Sequence, residues 1–333
     1  MDLIKKYKGK KVFVTGAGGF IGSHLVEELV RAGAQVTALV HYNALSSRGN
    51  LADLSADILQ SVKIEFGDVT DSFQMNKLVK YQDIVFHLAA LIGIPYSYVA
   101  PQAYVSANIT GTLNILEAVR QNNVSKLVVT STSETYGTAI YAPIDEKHPL
   151  QGQSPYSATK IGADKIAESY YLSFSTPVCI LRPFNTFGPR QSTRAVIPTI
   201  IHQALTADKI TLGSLSPVRD MLYVKDTVRG FAFAGAEESS SGQVISVGTG
   251  VAVTIGDLVN HIQGIMGTRK EILEDSARIR PEKSEVMKLV CDNTKAKQML
   301  GWSPDFSLEQ GLKNTIDWFV KNAEKYDTRT YSI

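Results

Sequence analysis

Cysteine is nearly absent from this 333-residue chain: Cys179 and Cys291 stand far apart and in no metal-ligand spacing. That pattern excludes a disulfide scaffold or a structural zinc site, and it fits a reducing cytoplasm. An excess of charge is missing too. Lys and Arg number 34 and Asp and Glu 32, a formal balance of +2. Gripping a phosphate backbone takes a basic face or stripe, so nucleic acid is not an expected partner. Long uninterrupted apolar runs are also lacking. Residues 84–116 hold no Asp, Glu, Lys or Arg, yet His87, Gly93, Pro95, Pro101, Asn108 and Gly111 break the stretch. A membrane-spanning helix needs about 20 predominantly apolar residues, so a strand, a loop and a packed helix explain it better. The basic start MDLIKKYKGKK is followed by Gly16, Gly18, Gly19 and Gly22 rather than an apolar core with a cleavage site. It reads as a solvated lead into a first strand.

What remains is an ordinary globular composition, 44% hydrophobic and 20% charged. It can bury a large core and excludes dominant disorder. At about 150 residues per domain, the length suggests roughly two domains. Short apolar runs predict strands at Lys11–Thr15, Val36–Val40, Val62–Phe66, Ile84–His87, Leu127–Thr130 and Val178–Leu181. Helical spacing predicts helices at Phe20–Arg31, Phe73–Lys80, Ala103–Gln121 and Pro155–Leu172. This alternation predicts an α/β fold of Rossmann type, a doubly wound parallel sheet with its ligand crevice at the carboxyl ends of the strands. Past Arg182 the pattern loosens. Helices are expected near Val196–Leu205, Ile255–Met266, Thr294–Leu300 and Leu308–Val320, and Val244–Val247 is a candidate to rejoin the sheet. The expected division is a dinucleotide-binding domain, 1–183 and 227–250, and a smaller discontinuous substrate domain, 184–226 and 251–333.

Between the first strand and the first helix stand Gly16, Gly19 and Gly22, a G-x-x-G-x-x-G spacing. Glycine lets the backbone turn tightly and approach a pyrophosphate, and the helix N-terminus supplies unpaired amides. Strand two ends in Leu39-Val40-His41-Tyr42, with no acid for a ribose hydroxyl and no Arg for a 2′-phosphate. His41 is a candidate contact for either form, and Asp68 for the adenine edge. Further on, Ser154-Pro155 opens a helix that carries Tyr156 and Lys160 at i and i+4, on one face. An ammonium beside a phenol favours phenolate, which makes Tyr156 a candidate base. Ser131-Thr132-Ser133-Glu134 places hydroxyls and a carboxylate at the end of the preceding strand. Glu134 is a candidate general base there.

These segments resemble the extended short-chain dehydrogenase/reductase superfamily. The glycine loop, the turn Gly67-Asp68-Val69-Thr70-Asp71, His87-Leu88-Ala89-Ala90, the Tyr156/Lys160 pair and the run from Arg182 to Arg190 carry the likeness. Within the NAD-dependent epimerase/dehydratase family, the stretches 89–98, 130–139 and 182–198 look most like nucleotide-sugar 4,6-dehydratases, nearest the legionaminic-acid-pathway type acting on N-acetylhexosamines. The resemblance implies that Tyr156 takes the sugar 4-OH proton as C4–H leaves as hydride, that Lys160 holds the nicotinamide ribose, and that Thr132 bonds near O4. Glu134 would then remove C5–H before water leaves C6. Ser133 stands where many hexose-nucleotide dehydratases place Asp, and the Thr-Ser-Glu run is shared with GDP-mannose dehydratases and uronate decarboxylases. The implied cofactor is NAD, with NADP open because strand two lacks the acid. Gly16, Gly19, Phe20, Ile21, Gly22, His41, Asp68 and Val69 would hold it. So would Leu88, Ala89, Ala90, Thr130, Tyr156, Lys160 and Pro183. The implied substrate is a nucleotide-diphosphate sugar, UDP- or GDP-linked, contacted by Thr132, Asn185, Val196, Arg219 and Arg280. A 4-epimerase, a uronate decarboxylase and a non-catalytic dinucleotide-binding protein stay as alternatives. The expected assembly is a homodimer through a four-helix interface, since 103–121 and 155–172 carry more apolar and small residues than one face needs. The expected setting is the cytoplasm, in cell-surface polysaccharide synthesis.

Overall fold

The computed structural model describes residues 1–275 and 281–325. Its main sheet has seven strands: β1 Lys11–Thr15, β2 Gln35–His41, β3 Val62–Gly67, β4 Ile84–His87, β5 Lys126–Thr130, β6 Val178–Pro183 and β7 Val244–Val247. All run parallel in the order β7-β6-β5-β4-β1-β2-β3. The Val244–Val247 segment does rejoin the sheet, beside β6. Chain direction across the sheet reverses between β1 and β4, which opens a crevice at the carboxyl ends of those strands.

Both faces of the sheet are covered, so its strands read as continuous apolar runs rather than alternating ones. Alternation survives in what each residue touches. Val12, Val14, Phe86, Val128, Cys179 and Leu181 join one core cluster, whereas Phe13, Val85, Leu127, Val129, Val178 and Ile180 join the other. No helix among the described residues is long and apolar enough to cross a membrane. Cys179 and Cys291 are both buried free thiols.

Several elements differ from the sequence reading, short helices at Ala56–Gln60 and Ile94–Val99 among them. The lead before β1 is not merely solvated: Leu3–Tyr7 forms a helix capped by Asp2, and the fully buried Tyr7 hydroxyl donates to Ala232 O at 2.6 Å. A helix at Val224–Ala236 was not expected. Most of it is buried, including Gly230 and Gly235, and its polar side is confined to Lys225, Asp226 and Arg229, which leaves only a short polar break in the sequence pattern. A Cβ on Gly235 would sit 2.6 Å from the Tyr7 hydroxyl, which is why small residues line that contact. The single helix expected at 103–121 is instead Pro101–Tyr104, a π-helical turn at Val105–Thr110, and Gly111–Gln121. Last, the region after β6 adds short strand pairs: Asn185–Phe187 with Met221–Tyr223, Val218–Arg219 with Val253–Thr254, and Lys209–Leu212 with Glu271–Glu274. Single strands of two to four residues carry too little periodicity to be read from sequence.

Candidate active site

β1 delivers the chain into Gly16, whose φ of +67° lies in the left-handed region. A Cβ there would stand 2.7 Å from Ala89 N, and one on Gly22 would collide with Gly16 O. Glycine is therefore required at both places by close backbone approach. Gly19 caps the Phe20–Arg31 helix with no side-chain hydrogen bond, and the first intrahelical bond is Ser23 N to Gly19 O at 3.0 Å. The amides of Phe20, Ile21 and Gly22 precede that bond, an uncapped N-terminus suited to a pyrophosphate. Thr15 holds the opposite wall. Its Oγ1 accepts from Leu88 N and Ala89 N, each at 3.1 Å, and bonds His87 Nδ1 at 2.8 Å. His87 reaches on to Thr112 Oγ1 at 3.1 Å. Burial, aided by the charge of Lys160, pushes His87 down to about 3, so it is neutral at ordinary pH.

The ends of β2 and β3 are in register, His41 opposite Gly67, and that brings His41 Nε2 to 3.3 Å from Asp68 Oδ2. Partial burial raises the Asp68 carboxyl, but bonds from Thr70 and the nearby His41 outweigh it and leave it below the usual range. His41 is thus partnered with the acid that strand two lacks, and both stay open to solvent. Val69 departs from the expected set in one respect: its side chain belongs to the core, which leaves only its backbone for a ligand.

The candidate catalytic residues Thr132, Glu134, Tyr156 and Lys160 come together beyond the carboxyl end of β5. Ser154 caps the Pro155–Phe174 helix in a reciprocal box with Ser157, as its sequence predicts, so Tyr156 lies in the first turn and Lys160 one turn on. After β5, Thr132 turns into a short 3-10 helix, Ser133–Tyr136, that buries Ser133 and Glu134. The Thr132 hydroxyl accepts from Glu134 N at 3.2 Å, and the Thr132 side chain is close enough to the Tyr156 hydroxyl to ease its ionisation. Tyr156 therefore faces Thr132 and feels the Glu134 carboxylate.

One expectation needs correction here. The Tyr156 hydroxyl is not lowered overall. Burial pushes that hydroxyl well above the usual tyrosine range, and Glu134, Tyr104 and Asp164 add to the push against the pull of Thr132. The Lys160 ammonium donates instead to Thr130 O at 2.5 Å, and burial lowers its own proton affinity. Desolvation of a fully enclosed phenol exceeds what a lysine committed to a carbonyl returns.

Sequence reasoning missed the supports. Asn108, on the π-helical turn, accepts from Leu91 N at 2.8 Å, donates back to Leu91 O at 3.0 Å and donates to Thr159 Oγ1 at 3.1 Å. It locks the loop after β4 to the Tyr156 helix. A π-turn at a functional site is a recurrent device. Tyr104 packs edge-on to Tyr156 with ring centres 6.3 Å apart and donates to Gly93 O at 2.5 Å.

Farther along, Asn185 opens a short strand opposite Met221, which places it near Arg219 on the adjoining strand. Arg219 is buried, donating to Val218 O at 3.1 Å and to Glu285 Oε1 at 3.3 Å. Val196 begins the next helix. Pro183 ends β6 opposite Val247. Arg280 lies outside the described residues. The Thr130 hydroxyl and the Asn185 amide oxygen are buried without a partner. Orphaned polar atoms after β5 and β6, together with the glycine cradle and uncapped helix end after β1, line the same carboxyl edge of the sheet, so these residues fit a dinucleotide and its substrate laid along it.

Fold and site together place the chain in the extended short-chain dehydrogenase/reductase superfamily, among its epimerase/dehydratase enzymes. More narrowly, the chain belongs to the GDP-mannose 4,6 dehydratase family, whose model matches residues 13–315. It is 32% identical over 317 residues to a dTDP-glucose 4,6-dehydratase of Streptomyces griseus, covering 93% of this chain and 94% of that one. It is 31% identical over 321 residues to a UDP-glucose 4-epimerase of Mycolicibacterium smegmatis, covering 94% and 100%. A UDP-N-acetyl-alpha-D-glucosaminuronate decarboxylase of Bacillus cytotoxicus is 31% identical over 321 residues, covering 93% and 98%. Among solved structures, the dTDP-glucose 4,6-dehydratase DesIV of Streptomyces venezuelae with NAD bound superposes with a TM-score of 0.85 at 27% identity. That match covers 95% of this chain and 99% of DesIV.

Proposed function

We propose that the chain is an NAD-dependent nucleotide-sugar 4,6-dehydratase acting on an NDP-linked N-acetylhexosamine. The observation that carries this reading is the meeting of Thr132, Glu134 and Tyr156 above Lys160 at the carboxyl end of β5. A nicotinamide dinucleotide held by the glycine loop and by Lys160 would supply a hydride acceptor for C4–H and the hydride that C6 later receives. Tyr156 would take the 4-OH proton as phenolate, the form that the neighbouring Thr132 hydroxyl favours. Lys160 supplies a positive charge at the ribose end, held in place by Thr130 O. The 4-ketone would acidify C5–H, and the Glu134 carboxylate would remove that proton. The C6–O bond would break with the hydroxyl leaving as water on that proton, and a solvent-exchangeable proton would return to C5 as hydride reaches C6. A base at C5 has no task in simple epimerisation at C4, so Glu134 favours dehydration over the epimerase reading. Gly16, Gly19 and Gly22 hold the pyrophosphate, and His41 with Asp68 meets the adenosine end.

Incubation with a panel of UDP- and GDP-linked hexoses, N-acetylhexosamines and uronic acids tests the reading by mass. The expected product has lost one water from an NDP-N-acetylhexosamine. Loss of carbon dioxide from a uronic acid, or isomerisation with no change of mass, overturns dehydration in favour of the decarboxylase or the epimerase.

The same reading includes a homodimer. The helices Gly111–Gln121 and Pro155–Phe174 pack on each other, yet Leu113, Leu172 and Phe174 on them stay exposed. Two such pairs facing each other make a four-helix, twofold interface, the commonest kind of assembly. Light scattering at micromolar concentration should give twice the chain mass of 36.3 kDa. A monomer mass rejects it.

A further inference from the structure

The mechanism above leaves one buried ion pair unused. Asp164 lies one turn beyond Lys160 and two turns beyond Tyr156, on the same helix face. It pairs with Arg182 of β6 at 2.8 Å, and both side chains are almost completely buried. One carboxylate oxygen takes every bond. Asp164 Oδ2 accepts from Ser131 Oγ at 2.6 Å and from Arg182 Nη2 and Nε at 2.8 and 3.2 Å, whereas Oδ1 is buried with no partner. Arg182 extends the tie. Its Nη1 donates to the Tyr136 hydroxyl at 3.1 Å, and its guanidinium stands 4.9 Å from the Tyr136 ring centre. The Tyr136 hydroxyl is anchored in turn by Ser246 Oγ of β7 at 3.0 Å.

Ser131 and Tyr136 are the two ends of the turn that carries Thr132 and Glu134. The helix therefore grips the end of β5 at consecutive residues, Lys160 on Thr130 O and Asp164 on Ser131 Oγ. We propose that the Asp164–Arg182 pair is a positioning device that sets the Thr132–Glu134 turn against Tyr156 and Lys160. Asp164 and Arg182 are positioning residues, and their role rests on the dehydratase reading of the site. A buried ion pair is poor evidence of stability, because apolar residues of similar size often replace one at no loss. A misplacement of about 1 Å at reacting groups, by contrast, costs on the order of 10²-fold in rate.

The charge has a second consequence. The groups facing Lys160 are Asp164, His87 and Thr130 O, and of these only Asp164 is an anion. Those facing Tyr156 are Thr132, Glu134, Tyr104 and Asp164. Asp164 favours the protonated form of both Lys160 and Tyr156. Removing its charge lowers both proton affinities, and an uncompensated Arg182 acts in the same direction.

Three variants test the proposal. Ser131→Ala should lower kcat by about 10- to 100-fold with KM and melting temperature nearly unchanged. Asp164→Asn should lower kcat and move both limbs of its pH profile to more acid values, which a purely structural defect does not do. The double variant Asp164→Leu/Arg182→Met removes the pair without stranding a charge. It should fold and retain dinucleotide while losing kcat, and it decides the matter where Asp164→Asn fails to fold. A folded double variant with wild-type kcat and an unmoved pH profile overturns the proposal. Should the wild type turn over no nucleotide sugar, the dehydratase reading fails on its own. The tie is then read by NMR titration of Lys160 in protein labelled with 13C-lysine. A lower Lys160 pKa in Asp164→Asn supports the tie, and an unchanged one rejects it.

Discussion

Tyr156→Phe is expected to lower turnover by about 10²–10⁴-fold while leaving nucleotide-sugar binding nearly intact. The ring is held by packing: it lies in a small cluster with Ile94 and Tyr104, edge-on to the latter, and phenylalanine keeps those contacts. What is lost is the oxygen that takes the 4-OH proton. Thr132 also loses its hydroxyl partner, a deficit of about 1 kcal/mol that is small beside the loss of a proton acceptor. Steady-state assay together with calorimetric titration of the nucleotide sugar separates the two effects. A variant that keeps near-wild-type kcat removes Tyr156 from the reaction. One that loses binding as well as kcat shows a structural role rather than a chemical one. The elevated proton affinity of Tyr156 sharpens this expectation. A hydroxyl kept protonated by burial needs help to act as a base, so the environment that eases its ionisation governs the rate.

Much of this arrangement is legible in the sequence. The strands of the Rossmann half are apolar runs closed by glycine or by polar turns, and the glycine loop, Ser154 cap and Tyr156/Lys160 spacing act within a few residues of one another. Local signals of that kind survive in a linear sequence. The parts that were not legible depend on partners distant in the chain. Val224–Ala236 is largely buried, with Lys225, Asp226 and Arg229 as a narrow polar side, and its glycines at 230 and 235 answer neighbours far away in the chain. Tyr7 finds its acceptor 225 residues away. The π-turn at Val105–Thr110 is fixed by Asn108 reaching both Leu91 and Thr159. Charge effects are equally non-local. The sequence places Lys160 beside Tyr156 on a helix face, but it does not say that Thr130 O receives the ammonium, nor how deeply the phenol is buried.

Glu134→Gln should arrest the reaction after oxidation at C4. Glu134 sits in the 3-10 turn one residue beyond Ser133 and is buried, so Gln fits the same space and keeps its hydrogen-bonding capacity while losing the ability to take a proton. Oxidation at C4 rests on Tyr156 and should survive. Mixed with substrate, the variant should therefore develop reduced-nicotinamide absorbance and release no 4-keto-6-deoxy product. Wild-type enzyme run in heavy water should place deuterium at C5 of the product, and the variant should leave C5–H unexchanged. The sign of a second effect follows from charge. The Glu134 carboxylate is one of the groups that keep the Tyr156 hydroxyl protonated, so its neutralisation moves the acid limb of C4 oxidation to lower pH. Stopped-flow absorbance across a pH series reads that shift directly. An active Gln variant that still incorporates C5 deuterium would falsify Glu134 as the base. Elimination would then need another proton acceptor within reach of C5, and the buried Ser133 hydroxyl is too weak a base to serve.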